Sequence, residues 1–422
     1  MEINRKAFFA KREEKILDIK RETPPFNYVS LHIRSEVFLK GYLVAEIGEE
    51  AFIWQDFFVE PTDETVSFFL EDERAASVCR LIRIRFNNLE NKAGNVEIYG
   101  IETKMREKFC GKRYYANSFL CMGFDADLGP VISYLSSSKY RIRETDDARP
   151  RILFEAAENV DGKANCNLIN TYDNGRFPQQ SYSGASLLPY QANVYKDTVW
   201  VFNPVQAGDH AGFHSRIADY RLEKDGVYFK IRPLDWAKRN SPLDCYMEVS
   251  YALGPAYVRV SNRFVDFSML HVGLEQKPVR QELPTFNTLA SLGSFAYPLS
   301  NRKNAVAEEL DFWGDEDTNE RLFFKTPSCW SGWVNEAQYG VGLLTPGITD
   351  HFAGKFGANR RYRGPSHRSE FVNHVAGVVN FNLESLAPIR YDFYLSVGHL
   401  DEIGRAFASV QRGKTAGRQS RR

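Results

Sequence analysis

The sequence predicts an all-β protein, in which an N-terminal small β-sandwich is followed by a large two-sheet antiparallel β-supersandwich. Three observations lead to this prediction. Polar and apolar residues alternate through many short segments, as they do in half-buried strands. Aromatic residues make up 14% of the 422 residues, a composition that suits pleated sheets. Helical periodicity is scarce, and the chain is long for one compact domain.

The N-terminal part of the chain divides into a lead-in and a first domain. Residues 1–24 are predicted to be a charged lead-in, with a helix as one alternative. Residues 25–128 are predicted to form an accessory β-sandwich domain. VSLHIRSEVFLKGYLVAEI, CRLIRIRFNNLE and GNVEIYGIETK alternate polar and apolar residues, with turn residues between them. The closing NVEIYGIETK resembles the last strand of galactose-binding-like sandwich modules.

Residues 129–412 are predicted to form the supersandwich domain that carries the active site. Its strands include TVWVFNPV, GVYFKIRPL, DCYMEVSYAL, AYVRVSNRFVDF and VAGVVNFNLE. Together they are more than one immunoglobulin-like sandwich holds. A short helix is predicted from Leu400, because Ile403, Phe407 and Val410 fall on one face. Residues 413–422, GKTAGRQSRR, are predicted to be a disordered basic tail.

The charge balance argues against nucleic-acid and membrane partners. Lys plus Arg and Asp plus Glu both number 54, so no net field attracts an anionic surface. No apolar run of about 18 residues occurs, and the N-terminus lacks the apolar core of a secretory signal. We therefore expect a cytoplasmic location. The six cysteines are scattered without zinc-like spacing, so we expect free thiols, no metal and no cofactor. Assembly into a homo-oligomer stays open.

A polar stretch at residues 170–185, NTYDNGRFPQQSYSGA, is the first candidate site region. An Asp-Asn-Gly turn explains Asp173 as a turn residue. It does not explain Arg176, Gln179 and Gln180, whose donors and acceptors suit sugar hydroxyls and a carboxylate. With Tyr172, these residues are predicted to line one wall of a sugar pocket. Asp173 then becomes a catalytic candidate.

A loop at residues 201–217, VFNPVQAGDHAGFHSRI, is the second candidate region. It supplies Gln206, His210 and His214 as candidates for substrate binding and Asp209 as a candidate for catalysis. The His-x-x-x-His spacing suits a metal on a helix, but this glycine-containing loop does not align the two rings in that way. A histidine that transfers protons or binds substrate is one alternative, and a structural pair of histidines is the other.

The third region is KPVRQELPTFNTL, residues 277–289. Burial of Glu282 beside apolar residues would raise the pKa of its carboxyl group, as a general acid requires. A salt bridge to Arg280 is the alternative interpretation.

The fourth region is CWSGWVNEAQYGVGLLTPG, residues 329–347. Trp330 and Trp333 flank a Ser-Gly pair, and Glu336 follows them. Two tryptophans near a carboxylate are typical of a platform on which a sugar ring stacks. They are equally typical of a packed hairpin.

Several of these segments together resemble a known family. QELPTF, WSGWVNE and GVGLLTPG, set among strands such as DCYMEVSYALGPAYVRVSNRF, resemble the galactose-mutarotase-like β-supersandwich of carbohydrate-active enzymes. The resemblance spans residues 138–409. The superfamily includes epimerases, glycoside hydrolases, polysaccharide lyases and non-catalytic domains, so the resemblance leaves the reaction open.

The preferred hypothesis is a glycoside hydrolase that acts on an oligosaccharide. Such an enzyme needs one protonated carboxyl group and one ionised carboxylate. Glu282 is the preferred acid, Asp209 or Asp173 is its partner, and Glu336 is a further candidate. The predicted contacts to the sugar come from Arg176, Gln180, His210, His214, Trp330 and Trp333.

Three alternatives accompany the hydrolase. A polysaccharide lyase on uronate-containing glycans would need a His or Tyr base and a cation or amide that neutralises the carboxylate. The candidates for these roles are Tyr172, Arg176, Gln180 and His210. An epimerase would need a His and a Glu that face one sugar ring, and His210 with Glu282 is the pair to test. A non-catalytic carbohydrate-binding protein would need no catalytic residues.

Overall fold

The computed structural model describes residues 2–10, 13–47, 51–72, 79–145, 152–156, 162–184, 193–195, 198–273, 277–298, 320–356 and 366–419. Within these ranges the chain forms antiparallel sheets and a C-terminal α-helix. The prediction of an all-β sandwich protein is therefore confirmed.

The N-terminal part is a sandwich of two four-stranded antiparallel sheets. Its strands are β1 Glu2–Phe9, β2 Glu14–Thr23, β3 Tyr28–Ser35, β4 Leu39–Ile47, β5 Ala51–Val59, β6 Thr62–Phe69, β7 Cys79–Asn88 and β8 Gly94–Lys104. One sheet has the order β1-β8-β3-β6 and the other β2-β7-β4-β5. The inward-facing residues of both sheets form one core, in which the rings of Phe57 and Phe68 stack with centroids 4.7 Å apart.

The lead-in predicted for residues 1–24 is part of this sandwich. Instead of a helix, it forms β1 and β2, which pair with β8 and β7. Each of the two is the edge strand of its sheet. Charged side chains are common on edge strands, where they discourage pairing with another chain. The density of charge that suggested a lead-in is therefore compatible with strand structure.

The rest of the chain contains twenty-one further strands and one helix among the described residues. They are β9 Lys112–Ala116, β10 Leu120–Asp125, β11 Ile132–Ser137, β12 Tyr140–Glu144, β13 Ile152–Ala156, β14 Asn193–Tyr195, β15 Thr198–Trp200, β16 Pro204–Val205, β17 Arg216–Glu223, β18 Gly226–Arg232, β19 Leu234–Asp235, β20 Cys245–Leu253, β21 Val258–Asp266, β22 Val279–Leu289, β23 Ser294–Ala296, β24 Glu320–Lys325, β25 Trp330–Val334, β26 Tyr339–Leu344, β27 Asp350–Phe356, β28 Val372–Phe381, β29 Ile389–His399 and α1 Leu400–Gln419.

Two sheets dominate this second part. An eight-stranded sheet has the order β17-β18-β20-β21-β29-β26-β25-β23, and a four-stranded sheet has the order β22-β28-β27-β24. Tyr251 and Val260 of the larger sheet share one apolar core with Phe286 and Val375 of the smaller sheet. Because one face of the smaller sheet is covered in this way, its other face is left to build a site.

The predicted boundary between residues 128 and 129 lies within a three-stranded sheet. β9 and β10 precede that boundary, and β10 pairs with β11, which follows it. The N-terminal sandwich also packs against the larger sheet through Phe58, whose ring stacks on Phe267 with centroids 4.7 Å apart. Both contacts join the two parts of the chain.

The C-terminal helix begins at Leu400, as predicted. Ile403, Phe407 and Val410 are buried, and they pack with Trp330 against β26 and β29. The helix continues to Gln419, so most of the tail predicted to be disordered is helical. Leucine, alanine, arginine and glutamine, which make up much of this segment, are strong helix formers.

Within the described ranges, no helix is long and apolar enough to span a membrane. The same ranges contain no group of three or more His, Cys, Asp or Glu side chains arranged to hold a metal ion. Of the cysteines, Cys121 and Cys245 are buried free thiols, whereas Cys110 is an exposed one.

Candidate functional site

The register of β22 and β28 brings polar side chains to the open face of the four-stranded sheet. Glu282 pairs with Val378, and Asn287 pairs with His374. Residues directly opposite each other point to the same face, and so do residues an even number apart on one regular strand. Glu282 and Asn287 are an odd number of residues apart on β22, so a regular strand would point them to opposite faces. A bulge between Glu282 and Thr285 shifts the register and brings both side chains to the same face. Glu282, Asn287 and His374 therefore share one face.

A cleft of about 550 Å³ opens over this face. The turn at residues 173–176 and the loop that contains Trp236 contribute its other walls. The cleft combines charged groups with aromatic rings, which is typical of a ligand-binding site. Its charged, histidine and aromatic lining residues are Asp173, Arg176, Arg280, Glu282, His374, Trp200, Trp236 and Phe356.

Glu282 and His374 form a close pair at the floor of the cleft. Oε2 of Glu282 lies 3.1 Å from Nε2 of His374. The Nε2 atom is shielded from solvent, and Phe352 and Phe356 pack around the imidazole with centroids 4.9 and 5.5 Å away. The Glu282 side chain remains 34% exposed. The expected apolar burial of Glu282 is thus wrong, because β22 presents this carboxylate to the cleft.

Asp173 serves a turn and also faces the cleft. Its Oδ1 accepts a hydrogen bond of 2.9 Å from the backbone N–H of Gly175, and its Oδ2 accepts one of 3.2 Å from Nε of Arg176. The carboxylate is 28% exposed. The turn therefore uses part of the carboxylate's capacity to accept hydrogen bonds and leaves part of it open to the cleft.

The two glutamines after this turn hold the backbone. Gln179 donates to the carbonyl of Asn174 and accepts from the N–H of Ala207, so both ends of its amide are engaged. Gln180 donates to the carbonyl of Glu248 and accepts from the hydroxyl of another side chain. Gln179 lines the cleft, whereas Gln180 lies in the interior beneath it.

Tyr172 lies on the surface beside the turn. Its hydroxyl donates to Glu370, and this hydrogen bond raises the pKa of Tyr172 to about 12. A phenol with this pKa is a poor base near neutral pH. Tyr172 is outside the residues that line the cleft.

Asp209 is fully buried and lies outside the cleft lining. Its Oδ1 accepts the backbone N–H groups of Ala211 and Phe213, and its Oδ2 accepts that of Asn240. The expected pair of Glu282 and Asp209 therefore does not face one cleft. The physical reason is that three amides surround the Asp209 carboxylate.

The other candidates from the second region support this loop. Gln206 donates to the carbonyl of Pro130 and the hydroxyl of Tyr251. The His210 ring lies edge-on to Trp236, with centroids 6.3 Å apart. His214 is half-buried, and burial lowers its pKa. None of the three is among the described residues that line the cleft.

The fourth candidate region forms a packed hairpin. Trp330 contacts Phe407 of α1, with centroids 5.6 Å apart. Trp333 is fully buried, and its indole N–H donates to the carbonyl of His374. Glu336 lies in the exposed turn between β25 and β26. The structure thus agrees with the hairpin interpretation, and neither tryptophan is among the described residues that line the cleft.

Five of the eight charged, histidine and aromatic residues that line the cleft were absent from the sequence-based candidates, and Phe356 is one of them. His374 follows Asn373 in the otherwise apolar segment VNHVAGVV, and Arg280 entered only as a salt-bridge partner. Trp200 ends the segment KDTVW, and Trp236 ends the segment RPLDW, so each follows a short segment that contains charged residues. An aromatic residue in such a setting is a signal for a binding surface, but it is a weak one.

No protein-family model and no curated protein matches the sequence. Solved structures similar to this chain include a galactose mutarotase-like protein from Lactobacillus casei, with 11% identity, 68% of this chain and 100% of that chain covered, and a TM-score of 0.36. A putative aldose 1-epimerase from Escherichia coli K12 has 11% identity, coverage of 68% and 99%, and a TM-score of 0.36. The 4-alpha-glucanotransferase from Thermococcus litoralis has 12% identity and a TM-score of 0.33, and the match covers 68% of this chain and 37% of that chain. All three identities are 12% or lower and all three TM-scores are below 0.5, so the likeness is distant.

Proposed function

We propose that this protein is a carbohydrate-active enzyme, a glycoside hydrolase in which Glu282 is the general acid and Asp173 is the base or nucleophile. One observation carries the proposal: two partly exposed carboxylates line the same cleft between aromatic side chains. Hydrolysis of a glycoside requires such a pair, one to protonate the leaving oxygen and one to attack or to activate water.

The two carboxylates have environments that suit different roles. Asp173 is paired with the guanidinium of Arg176, with Nε 3.2 Å from Oδ2 of the carboxylate. Glu282 has the imidazole of His374 beside it, with Nε2 of the ring 3.1 Å from Oε2 of the carboxyl group, and this contact makes it the candidate for the general acid. His374 acts in this mechanism as a positioning residue, because its shielded Nε2 contacts Glu282 and not the substrate.

The aromatic side chains would hold the sugar ring. Trp200, Trp236 and Phe356 line the cleft around the carboxylates. Their flat faces suit the apolar faces of a pyranose, while the Arg176 guanidinium and the neighbouring amides suit its hydroxyls.

A sugar 1-epimerase is the second candidate, and the pair of Glu282 and His374 favours it. Epimerisation through an open-chain sugar needs an acid and a base that both contact the ring. Because Nε2 of His374 is shielded behind the Glu282 carboxylate, we rank the epimerase below the hydrolase.

The test is turnover of a panel of aryl glycosides and oligosaccharides by the wild-type protein and by E282Q and D173N. We expect each substitution to lower kcat/KM about 100-fold to 10,000-fold. E223Q and D225N, which change exposed carboxylates at the β17–β18 hairpin, are matched controls and should retain full activity.

The products separate the alternatives. New reducing ends support the hydrolase, and exchange of anomers without cleavage supports the epimerase. An ultraviolet-absorbing unsaturated product indicates a lyase. If the protein binds a sugar without turnover of any substrate, and E282Q does not change the affinity, the protein is a carbohydrate-binding protein. This outcome would contradict the proposal.

A further inference from the structure

Arg280 lies where the cleft meets a second cavity. It lines the cleft and also an adjoining cavity of about 480 Å³, which extends over β24 and β27. Its guanidinium lies over the ring of Phe323, with the central carbon 4.0 Å from the ring centroid. Phe323 is 47% exposed, which is unusual for so large an apolar side chain. The two side chains therefore form a surface at the junction of the two cavities.

This surface is anchored to the floor of the cleft. Phe323 stacks on Phe352, with centroids 5.0 Å apart and an angle of 22° between the rings. Phe352 in turn contacts the imidazole of His374. A series of ring contacts through Phe323 and Phe352 thus connects Arg280 to His374, which lies beside Glu282. The guanidinium is held by packing, which reduces the rotamer freedom that it would lose on binding a ligand.

Arg280 differs from the other charged groups around it in lacking an acidic partner. Arg176 is paired with Asp173, Glu282 lies beside His374, and Lys325 is 3.9 Å from an aspartate. Among the described residues, no carboxylate and no hydrogen-bond acceptor contacts the Arg280 guanidinium. Its N–H donors are available to a ligand.

We propose that Arg280 binds the carboxylate of a uronate unit adjacent to the sugar held in the cleft, so that the enzyme prefers acidic oligosaccharides. The inference rests on the proposed function and names its substrate class. A planar guanidinium matches a carboxylate with two parallel N–H···O bonds. Phe323 is the positioning residue that keeps the guanidinium at the junction of the two cavities.

The test uses two disaccharide glycosides that differ only in CH₂OH or COO⁻ on the second ring. For the wild-type protein, we expect kcat/KM to be about tenfold to a hundredfold higher with the acidic substrate. R280Q should bring this ratio close to one, because the loss of kcat/KM should be larger for the acidic substrate than for the neutral one. R280K should keep part of the preference for the acidic substrate. Lysine retains the positive charge but cannot form the two parallel N–H···O bonds of a guanidinium. F323L should lower the ratio less than R280Q does.

The matched control is R259Q, which removes an exposed arginine that is paired with Asp392 on the other sheet. It should leave the ratio unchanged. An R280Q variant with an undiminished ratio would overturn the proposal, and so would a wild-type protein that prefers the neutral substrate. A sulfated disaccharide that is preferred over the uronate would overturn the assignment to a carboxylate.

A binding measurement distinguishes failure of this inference from failure of the proposed function. Titration of the uronate disaccharide into E282Q and into E282Q/R280Q, followed by calorimetry, does not depend on turnover. If no substrate is cleaved but affinity falls about tenfold or more in the double variant, the inference stands and the hydrolase fails. If the two affinities are equal, the inference fails whatever the activity.

Discussion

Two aspartate turns in this protein have similar local chemistry and different surroundings. In each, Oδ1 of the aspartate accepts the backbone N–H of the residue two positions later: Gly175 for Asp173 and Ala211 for Asp209. Yet Asp173 is 28% exposed to the cleft, whereas Asp209 is fully buried. A side chain's suitability for catalysis therefore cannot be judged from its turn alone.

The difference comes from a distant segment. Oδ2 of Asp209 accepts the N–H of Asn240, which follows β19 and covers the turn. Oδ2 of Asp173 faces Arg176 and the cleft. The two turns are also in contact, because Nδ2 of Asn174 donates to the carbonyls of Asp209 and Phe213. The buried turn thus supports the exposed one.

Replacement of the two aspartates by alanine should separate these roles most clearly. D209A should lower the free energy of unfolding by roughly 3–5 kcal/mol, because three buried amides lose their acceptor. D173A should cost only about 1 kcal/mol, because its contacts are partly exposed. Urea denaturation measures both, with D225A as an exposed control. Equal costs for the two substitutions would show that the turns do not differ in this way.

The glycines of the two turns provide a smaller contrast. Gly208 has a φ of +148°, and a Cβ atom there would lie 1.9 Å from the carbonyl oxygen of Phe213, so G208A should cost at least about 2 kcal/mol. At Gly175 the nearest atom is a ring carbon of Trp236 at 2.9 Å, so G175A should cost less than about 1 kcal/mol. Because Trp236 lines the cleft, G175A should raise KM instead. Stability and KM measured for both variants check this, and a larger loss of stability in G175A would contradict it.

The smallest expected effect is a pH dependence that belongs to the buried turn. Burial lowers the pKa of His214 below its ordinary value of 6.5, so the unfolded state binds this proton first as the pH falls. The stabilisation is complete above pH 6.5 and is lost below it. Relative to the wild type, H214Q should show a smaller decrease of Tm between about pH 7 and about pH 5. Burial also lowers the pKa of His351, to about 4. His351 is present in both proteins, so its contribution to the pH dependence of Tm cancels in the comparison. Parallel Tm profiles would exclude a contribution from His214.

Much of the fold could be predicted because strand alternation is a local property. The segment that became β20 and β21 alternates in sequence, and its buried residues follow that alternation. The helix at Leu400 was predictable for the same reason, since the positions of Ile403 and Phe407 already define its buried face. The strands of the first 24 residues were missed, because charged edge strands lack a strong apolar pattern and depend on their neighbours for pairing.

The candidate site was only partly predictable, because it is assembled by strand register and by loop packing. Glu282, Asp173 and Arg176 were found because carboxylates and guanidinium groups in turn-rich segments are chemical signals in themselves. His374 was missed, because only the pairing of β22 with β28 brings it beside Glu282. Trp330 and Trp333 became candidates because they lie near a carboxylate in sequence, with a packed hairpin as the equal alternative, and they pack in the core.

The sequence by itself determined the strand content, the C-terminal helix and the presence of polar turns. These features follow from the period of apolar residues and from the chemistry of single side chains, which act over a few residues. The tertiary structure alone decided which aspartate faces the cleft and which histidine supports the glutamate. Both outcomes depend on contacts between residues far apart in the chain, such as Asp209 with Asn240 and Glu282 with His374.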